Sequence, residues 1–245
     1  PMAGCCPPNS WPALKTSEAY TRKGEVQKIG ELDIYVVGEG KKGILILPDI
    51  FGWSAKGGRF FGIADTLADK GYFVVVSDPF YGDTADGKPD IVEWIKTFPY
   101  EDKIGRDIEE CVKFLETNGC EAIGFAGFCW GMWAGCRAAS LGVPFKCGVG
   151  AHPSTRLEGV FGGSEQDMME KVKCPILLMP AGNDPDNLKD GGSIAQAMVV
   201  NGGATITFAD MTHGWVCRGD LSDAMVRRDV EAAIAHMVEF FGKNL

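Results

Sequence analysis

Residues 122–131 read Ala-Ile-Gly-Phe-Ala-Gly-Phe-Cys-Trp-Gly, and this stretch decides the fold. Its apolar first half predicts a buried strand over Ala122–Ala126, and small residues predict a helix over Trp130–Leu141. Between them lies Gly-x-Cys-x-Gly, the pattern of a nucleophile held in a sharp strand-to-helix turn. The glycines are needed because strand and helix pass too closely for side chains. The alternative reading is a buried structural cysteine in a tight turn.

The position of Cys129 also bears on its chemistry. A thiol at a helix N-terminus lies at the positive end of the helix dipole, which lowers its pKa and favours the thiolate. We therefore expect Cys129 to act as a nucleophile.

The rest of the chain predicts an α/β fold. Residues 1–20 are expected to be irregular, and residues 21–245 to form one α/β-hydrolase domain without a separate cap domain. We expect a mostly parallel sheet with helices on both faces. The predicted strands are Glu25–Ile29, Asp33–Val37, Gly43–Pro48, Tyr72–Ser77, Lys146–Val149, Pro175–Met179 and Ala204–Phe208; the predicted helices are Gly58–Lys70, Asp102–Asn118, Lys189–Asn201 and Asp223–Phe241.

Composition restricts the function classes. The 245 residues carry a net charge of −9, which argues against nucleic-acid binding because a phosphate backbone would be repelled. No apolar run reaches the ~18 residues of a membrane span, and no secretory signal is visible. We expect a cytoplasmic monomer or homodimer that acts on a small molecule.

The nine cysteines do not indicate a disulfide framework or a metal site. Their number is odd, they form no C-x-x-C pair, and no Cys/His group has zinc spacing. We expect neither metal nor cofactor. Cys5-Cys6 is the nearest approach to a metal or redox site, but we interpret the pair as part of a loose N-terminal tail.

A thiol nucleophile needs a base and a group that orients it, and in this fold they follow as acid and then histidine. His213 lies in a loop between the last strand and the last helix. Asp184 follows the preceding strand and is favoured over Asp186. His152 precedes the expected acid and breaks this order, while His236 lies mid-helix and is interpreted as structural.

Backbone amides after two strands are candidates for an oxyanion hole. One is Trp130, directly after Cys129. The other is Ile50, in the loop that follows the strand ending near Leu47.

With these motifs in place, the chain resembles the dienelactone hydrolase family from about Lys23 onward. The resemblance rests on Asp49-Ile50-Phe51-Gly52, Gly127-Phe128-Cys129-Trp130-Gly131, Asn183-Asp184 and His213-Gly214. It implies a Cys129–His213–Asp184 triad, and it implies that Asp49 hydrogen-bonds the nucleophile or controls its protonation.

Substrate-binding positions are less well matched to the family. An arginine that binds the substrate carboxylate is missing from the segment around Gly82, so dienelactone itself is a doubtful substrate. The candidates for substrate binding are Trp53, Tyr81, His152, Trp215 and Arg218.

We therefore predict a hydrolase of carboxylic esters or lactones that works through a thioester acyl-enzyme. Thiolate is a good leaving group, so activated esters, enol lactones and thioesters are favoured over amides. The main alternative is a small-molecule receptor on the same fold with little turnover. A redox-sensing protein is a third option, but it needs a reversible disulfide that the sequence does not indicate.

Overall fold

The computed structural model describes residues 5–14, 20–52 and 59–245, and its centre is an eight-stranded sheet. The strands are β1 (Glu25–Ile29), β2 (Leu32–Val37), β3 (Lys42–Leu47), β4 (Phe73–Ser77), β5 (Ala122–Phe128), β6 (Gly148–Ala151), β7 (Ile176–Met179) and β8 (Ala204–Thr205). Their order across the sheet is β1-β2-β4-β3-β5-β6-β7-β8. The pairs β1–β2 and β2–β4 are antiparallel, and all others are parallel.

Helices pack on this sheet and line its edge. They are α1 (Arg59–Ala68), α2 (Ile91–Lys96), α3 (Gly105–Thr117), α4 (Trp130–Ser140), α5 (Leu157–Val160), α6 (Glu165–Lys171), α7 (Ser193–Val200), α8 (Trp215–Arg218) and α9 (Ala224–Asn244). A π-helical turn, Tyr100–Ile104, leads into α3, and a 3₁₀ turn, Asp186–Leu188, precedes α7.

The central strands are buried on both faces. In β3, Ile44 and Ile46 pack into one hydrophobic cluster, while Leu45 and Leu47 pack into another. Side chains of α1 and α9 belong to the first cluster, and those of α3 and α4 to the second. Successive strand residues point to opposite faces, so a continuous apolar run requires helices on both sides. The predicted fold class, an α/β-hydrolase fold, is confirmed.

The boundaries of three elements differ from the predicted ones. The strand predicted at 146–149 is assigned two residues later, at β6. The strand predicted at 204–208 is only β8, with a separate bridge between Ala181 and Phe208. The helix predicted at 189–201 is shortened to α7.

Four short helices are missing from the sequence prediction: α2, α5, α6 and α8. Each has seven residues or fewer, so hydrophobic periodicity has too few turns to be visible. Local capping marks two of them. Asp90 accepts hydrogen bonds from the first amides of α2, and Ser164 from an amide of α6.

The parallel arrangement places several chemically active residues at one edge of the sheet. Asp49 follows β3, Cys129 follows β5, His152 follows β6 and Asp184 follows β7. In doubly wound sheets this carboxyl edge is where ligands bind. Among the described residues, no helix is both long and apolar enough to cross a bilayer.

Candidate active site

Cys129 occupies the sharp turn that the sequence predicts. It joins β5 to α4 with φ 54° and ψ −114°, a conformation that non-glycine residues rarely adopt. A Cβ on Gly131 would overlap the carbonyl oxygen of Leu47, and one on Gly127 would overlap the backbone of Met132. The two glycines therefore allow the strand and the helix to pass at this distance.

The thiol of Cys129 is fully buried and surrounded by polar groups. The hydroxyl of Ser154 lies 3.4 Å from its Sγ and donates to the carbonyl oxygen of Cys5 at 2.6 Å. The Cys129 carbonyl accepts from the amide of Ser154 at 3.1 Å. These contacts fix the turn.

His213 and Asp184, the predicted base and acid, form a buried pair. Nδ1 of His213 is 2.6 Å from Oδ1 of Asp184, and both side chains are fully shielded from solvent. The other carboxylate oxygen accepts from the amide of Ala181 at 2.7 Å, while Asn183 Oδ1 accepts from the His213 amide at 2.7 Å. The imidazole is thus held in one orientation.

Asp186, the alternative acid, lies elsewhere. Its carboxylate is exposed and pairs with Lys189 at 2.9 Å. His236 lies on α9 with its ring 6.4 Å from that of Phe208.

The electrostatics of the site favour a thiolate beside an imidazolium. Burial acts to lower the pKa of His213, but the negative charge of Cys129 and the bond to Asp184 raise it well above the ordinary value. Burial acts to raise the pKa of Cys129, but a hydrogen bond from Cys5 and the charge of His213 lower it overall. Since Asp184 occupies Nδ1, the nitrogen of His213 that faces the thiols is Nε2.

Asp49 and Arg218 form a buried ion pair next to this site. Both side chains are nearly inaccessible, and Oδ1 of Asp49 also accepts from the amide of Phe51 at 2.9 Å. Burial raises the pKa of Asp49, Arg218 lowers it, and the charge of Cys129 raises it again. Asp49 is therefore coupled to Cys129 through charge, and no hydrogen bond joins the two side chains within the described part of the chain.

Two of the three guanidinium nitrogens of Arg218 are hydrogen-bonded by the protein, and Nη2 is buried with no partner among the described residues. Besides the bond to Asp49, its Nε donates to the carbonyl oxygen of Trp11 at 2.8 Å, and its guanidinium lies 4.8 Å from the ring centroid of Phe51. These contacts hold the loops around Arg218 together. The predicted role of Arg218 as a substrate ligand stays a prediction, because its Nη2 is not bonded to any described group.

The amides proposed for the oxyanion hole lie on neighbouring loops. Ile50 follows β3 and Trp130 begins α4, and Leu47 is paired with Gly127 in the sheet. Within the described residues, neither amide donates to another backbone or side-chain group. Their role as oxyanion-hole donors stays a prediction.

The remaining candidates for substrate binding differ in burial and in distance from His213. His152 is fully buried, and its ring lies 5.0 Å from that of His213 and 5.3 Å from that of Trp215. Burial and the charge of His213 lower the pKa of His152 well below its ordinary value, so it is neutral. Tyr81 is half-buried and donates to Asp107 at 2.8 Å. Trp53 lies outside the described residues.

The feature that the sequence interpretation misses is the N-terminal segment, residues 5–11. The Sγ atoms of Cys5 and Cys6 lie 3.3 and 3.7 Å from Sγ of Cys129, and both thiols are 1% exposed. The interpretation of this pair as a loose tail is wrong. Two adjacent cysteines were the available signal, but no local pattern indicates where an irregular segment docks.

Hydrogen bonds to three loops hold this segment in place. The amide of Trp11 donates to the carbonyl of His213 at 2.9 Å, and Asn183 donates to the carbonyl of Pro8 at 2.9 Å. With the bonds from Ser154 and Arg218, the segment is tied to the chain segments that follow β6, β7 and β8.

Comparison with known proteins agrees with this geometry. The model of the dienelactone hydrolase family matches residues 33–245. The chain belongs to the dienelactone hydrolase family. It is 32% identical over 216 residues to a carboxymethylenebutenolidase homolog of Homo sapiens, with 83% of each chain covered. It is 28% identical over 238 residues to the hydrolase pyvD of Aspergillus violaceofuscus, with 91% of each covered.

Solved structures share the fold at lower identity. A dienelactone hydrolase-like promiscuous phosphotriesterase from metagenomic libraries superposes with a TM-score of 0.64 at 15% identity, covering 91% of this chain and 98% of the other. The protein TT1662 of Thermus thermophilus gives 0.65 at 13% identity, covering 90% and 99%. Membership of the family makes the chain a hydrolase.

Proposed function

We propose that this protein hydrolyses carboxylic esters or lactones through a thioester on Cys129, with His213 as proton-transfer group and Asp184 as its orienting acid. The observation that carries the proposal is the geometry: Cys129 lies in the turn at the start of α4, and the buried His213 beside it is oriented by Asp184, whose Oδ1 is 2.6 Å from Nδ1. The lowered pKa of Cys129 and the raised pKa of His213 agree with it. The curated relatives named as carboxymethylenebutenolidase homologs and hydrolases support this reaction class.

In the first half-reaction, the Cys129 thiolate attacks the carbonyl carbon of the substrate. The amides of Ile50 and Trp130 stabilise the oxyanion that forms. Nε2–H of His213 then protonates the leaving oxygen, which departs as an alcohol or enol, and a thioester remains on Sγ.

In the second half-reaction, His213 is neutral and accepts a proton from water. Hydroxide attacks the thioester, the tetrahedral intermediate collapses, and Cys129 leaves as thiolate beside the imidazolium. Asp184 stabilises this positive charge at both stages. The cycle restores every proton, and no cofactor takes part in it.

The thiolate determines which substrates suit the site. A tetrahedral intermediate expels its better leaving group, and thiolate leaves more readily than an alkoxide or an amide nitrogen. Enol lactones, aryl esters and thioesters therefore proceed forward, whereas amides return to substrate. We therefore expect kcat/KM for amides to be far below that for esters.

Substrate access requires movement of the N-terminal segment, since Cys129 is completely buried with Cys5 and Cys6 in contact with it. We propose that the segment shifts away from the thiol when substrate binds.

The test is steady-state kinetics on a matched series of an enol lactone, aryl esters, an alkyl ester and an anilide. We expect kcat/KM to rise as the leaving group becomes more acidic. Cys129→Ala should lose about 10⁴-fold or more of the aryl-ester activity. The control is Cys174→Ala, which removes a partly buried thiol near the start of β7, at the opposite end of the strands.

Two outcomes would contradict the proposal. Retained activity in Cys129→Ala would exclude the thioester route. Tight binding of lactones with negligible turnover in the wild type would support a receptor instead.

A further inference from the structure

Three sulfur atoms meet at the carboxyl edge of the sheet, and hydrolysis needs only one of them. The Sγ atoms of Cys5, Cys6 and Cys129 all lie within 4.8 Å of one another, and each residue is at most 1% exposed. Cys5 and Cys6 are adjacent in sequence, yet both thiols face Cys129. Three converging thiols have the chemistry of a ligand set for a thiophilic cation.

A fourth ligand is available at the same place. Nε2 of His213 is buried and makes no hydrogen bond of ordinary geometry with any described residue. Its ring interacts with the thiols of Cys6 and Cys129, while Nδ1 is bound to Asp184. A histidine ligand in a zinc site commonly donates its second ring N–H to a carboxylate, which fixes the ring and raises its basicity. Asp184 is already in that position.

The sulfur spacing agrees with tetrahedral coordination. A Zn–S bond is about 2.3 Å, so two sulfurs on one tetrahedral zinc stand roughly 3.8 Å apart. The two measured separations from Cys129 are 3.3 and 3.7 Å. Both separations are therefore within about 0.5 Å of the tetrahedral value.

We propose that Cys5, Cys6 and Cys129, together with Nε2 of His213, form a binding site for a soft divalent cation of the zinc type. All three cysteines would bind as thiolates and His213 through neutral Nε2. Binding one divalent cation therefore releases whatever protons these four groups carry and involves no change of oxidation state. The ion would join the N-terminal segment to the sheet.

Occupation of this site has a consequence that rests on the proposed function. The same Sγ and the same Nε2 cannot bind the cation and carry out ester hydrolysis together. The metal-bound protein is therefore inactive, and removal of the ion frees both groups.

Cobalt binding provides a readout that does not depend on activity. We would treat the full-length reduced chain with a chelator, desalt it, and titrate it with Co²⁺, whose sulfur-to-cobalt absorption grows with the number of thiolate ligands. The expected result is one cobalt per chain, a three-thiolate spectrum, and displacement by one equivalent of Zn²⁺.

Variants of the N-terminal pair identify the ligands. Cys5→Ser/Cys6→Ser should weaken metal binding by about tenfold or more and should remove most of the thiolate absorption. Cys174→Ser, which changes a thiol outside the cluster, should bind like the wild type. Cys129→Ala leaves the N-terminal segment intact and should lower the absorption to that of two thiolates. Thermal unfolding of the metal-free variants shows whether each one is folded.

Three results would overturn the metal site. The first is a wild type that binds no more cobalt than Cys5→Ser/Cys6→Ser does. The second is a Cys174→Ser variant that loses as much cobalt affinity as that double variant. The third is a metal-free protein that instead forms a disulfide to Cys129, seen as a 2 Da mass loss under non-reducing conditions. The two proposals fail separately. A three-thiolate cobalt spectrum with no esterase activity in the metal-free enzyme would contradict the hydrolytic mechanism alone, and an active enzyme that binds no cobalt would contradict the metal site alone.

Discussion

Replacing Arg218 by methionine removes the positive member of a buried ion pair. Arg218 and Asp49 expose 2% and 1% of their side chains, so neither charge is compensated by water. Breaking a buried pair from one side costs about 3–5 kcal/mol, because the remaining charge is left unpaired. For a chain of this size, that loss lowers the unfolding midpoint by about 6–20 °C.

Thermal and urea unfolding near neutral pH, read by circular dichroism, measure this loss. The matched control is Arg228→Met, which breaks the pair between Arg228 and Asp229 at a side chain that is 63% exposed; we expect no measurable change there. The double variant Asp49→Asn/Arg218→Met leaves no unpaired charge and should recover most of the stability.

The stability loss of Arg218→Met should also depend on pH, in a direction set by the pKa of Asp49. Without Arg218, the pKa of buried Asp49 rises further above its ordinary value, because burial then acts unopposed by a positive neighbour. In the window between the ordinary and the raised pKa, the folded state binds the proton and the unfolded state does not. The deficit of Arg218→Met should therefore shrink as the pH falls through this window. A double variant as unstable as the single one, or a deficit that grows in acid, would refute the reasoning.

Three further outcomes are expected at the site. Gly131→Ala should destabilise the protein by about 1–3 kcal/mol in urea unfolding, because a Cβ would overlap a backbone carbonyl. The control Gly159→Ala, with open space around it, should leave the stability unchanged. Equal losses in the two variants would contradict the close approach of strand and helix at Gly131. Asp184→Asn should lower kcat by about 10³–10⁴-fold. It should also shift the alkaline limb of the pH–activity profile to lower pH, because the pKa of His213 falls. An alkaline limb at the wild-type pH would contradict this. Ultraviolet thiolate absorbance should exceed that of Cys129→Ala at pH values well below about 8.5, and identical spectra would contradict a lowered thiol pKa.

The sequence predicts the parts of the molecule that depend on local chemistry. The Gly-x-Cys-x-Gly turn, the apolar run in β3 and the order of acid and histidine each follow from residue type and spacing. They predict the sheet and they predict which side chains the fold brings together, because the carboxyl ends of parallel strands share one edge.

Other features depend on contacts between distant segments, which spacing does not encode. The docking of Cys5 and Cys6 beside Cys129 spans more than 120 residues, since Cys5 and Cys129 are 124 positions apart. The pairing of Arg218 with Asp49 spans 169 positions, so the sequence suggests Arg218 as a substrate ligand and does not show that Asp49 is its partner. In both cases the residue types were visible, but their partners were not.

The most direct measurement of the central claim is the mass of the acyl-enzyme. His213→Ala should still be acylated slowly by an activated aryl ester but should deacylate poorly, so the thioester accumulates. Intact-protein mass spectrometry should show one acyl group, peptide mapping should place it on Cys129, and hydroxylamine should remove it. The adduct should be absent from His213→Ala/Cys129→Ala. An acyl group on any other residue, or turnover with no adduct that depends on Cys129, would contradict the account.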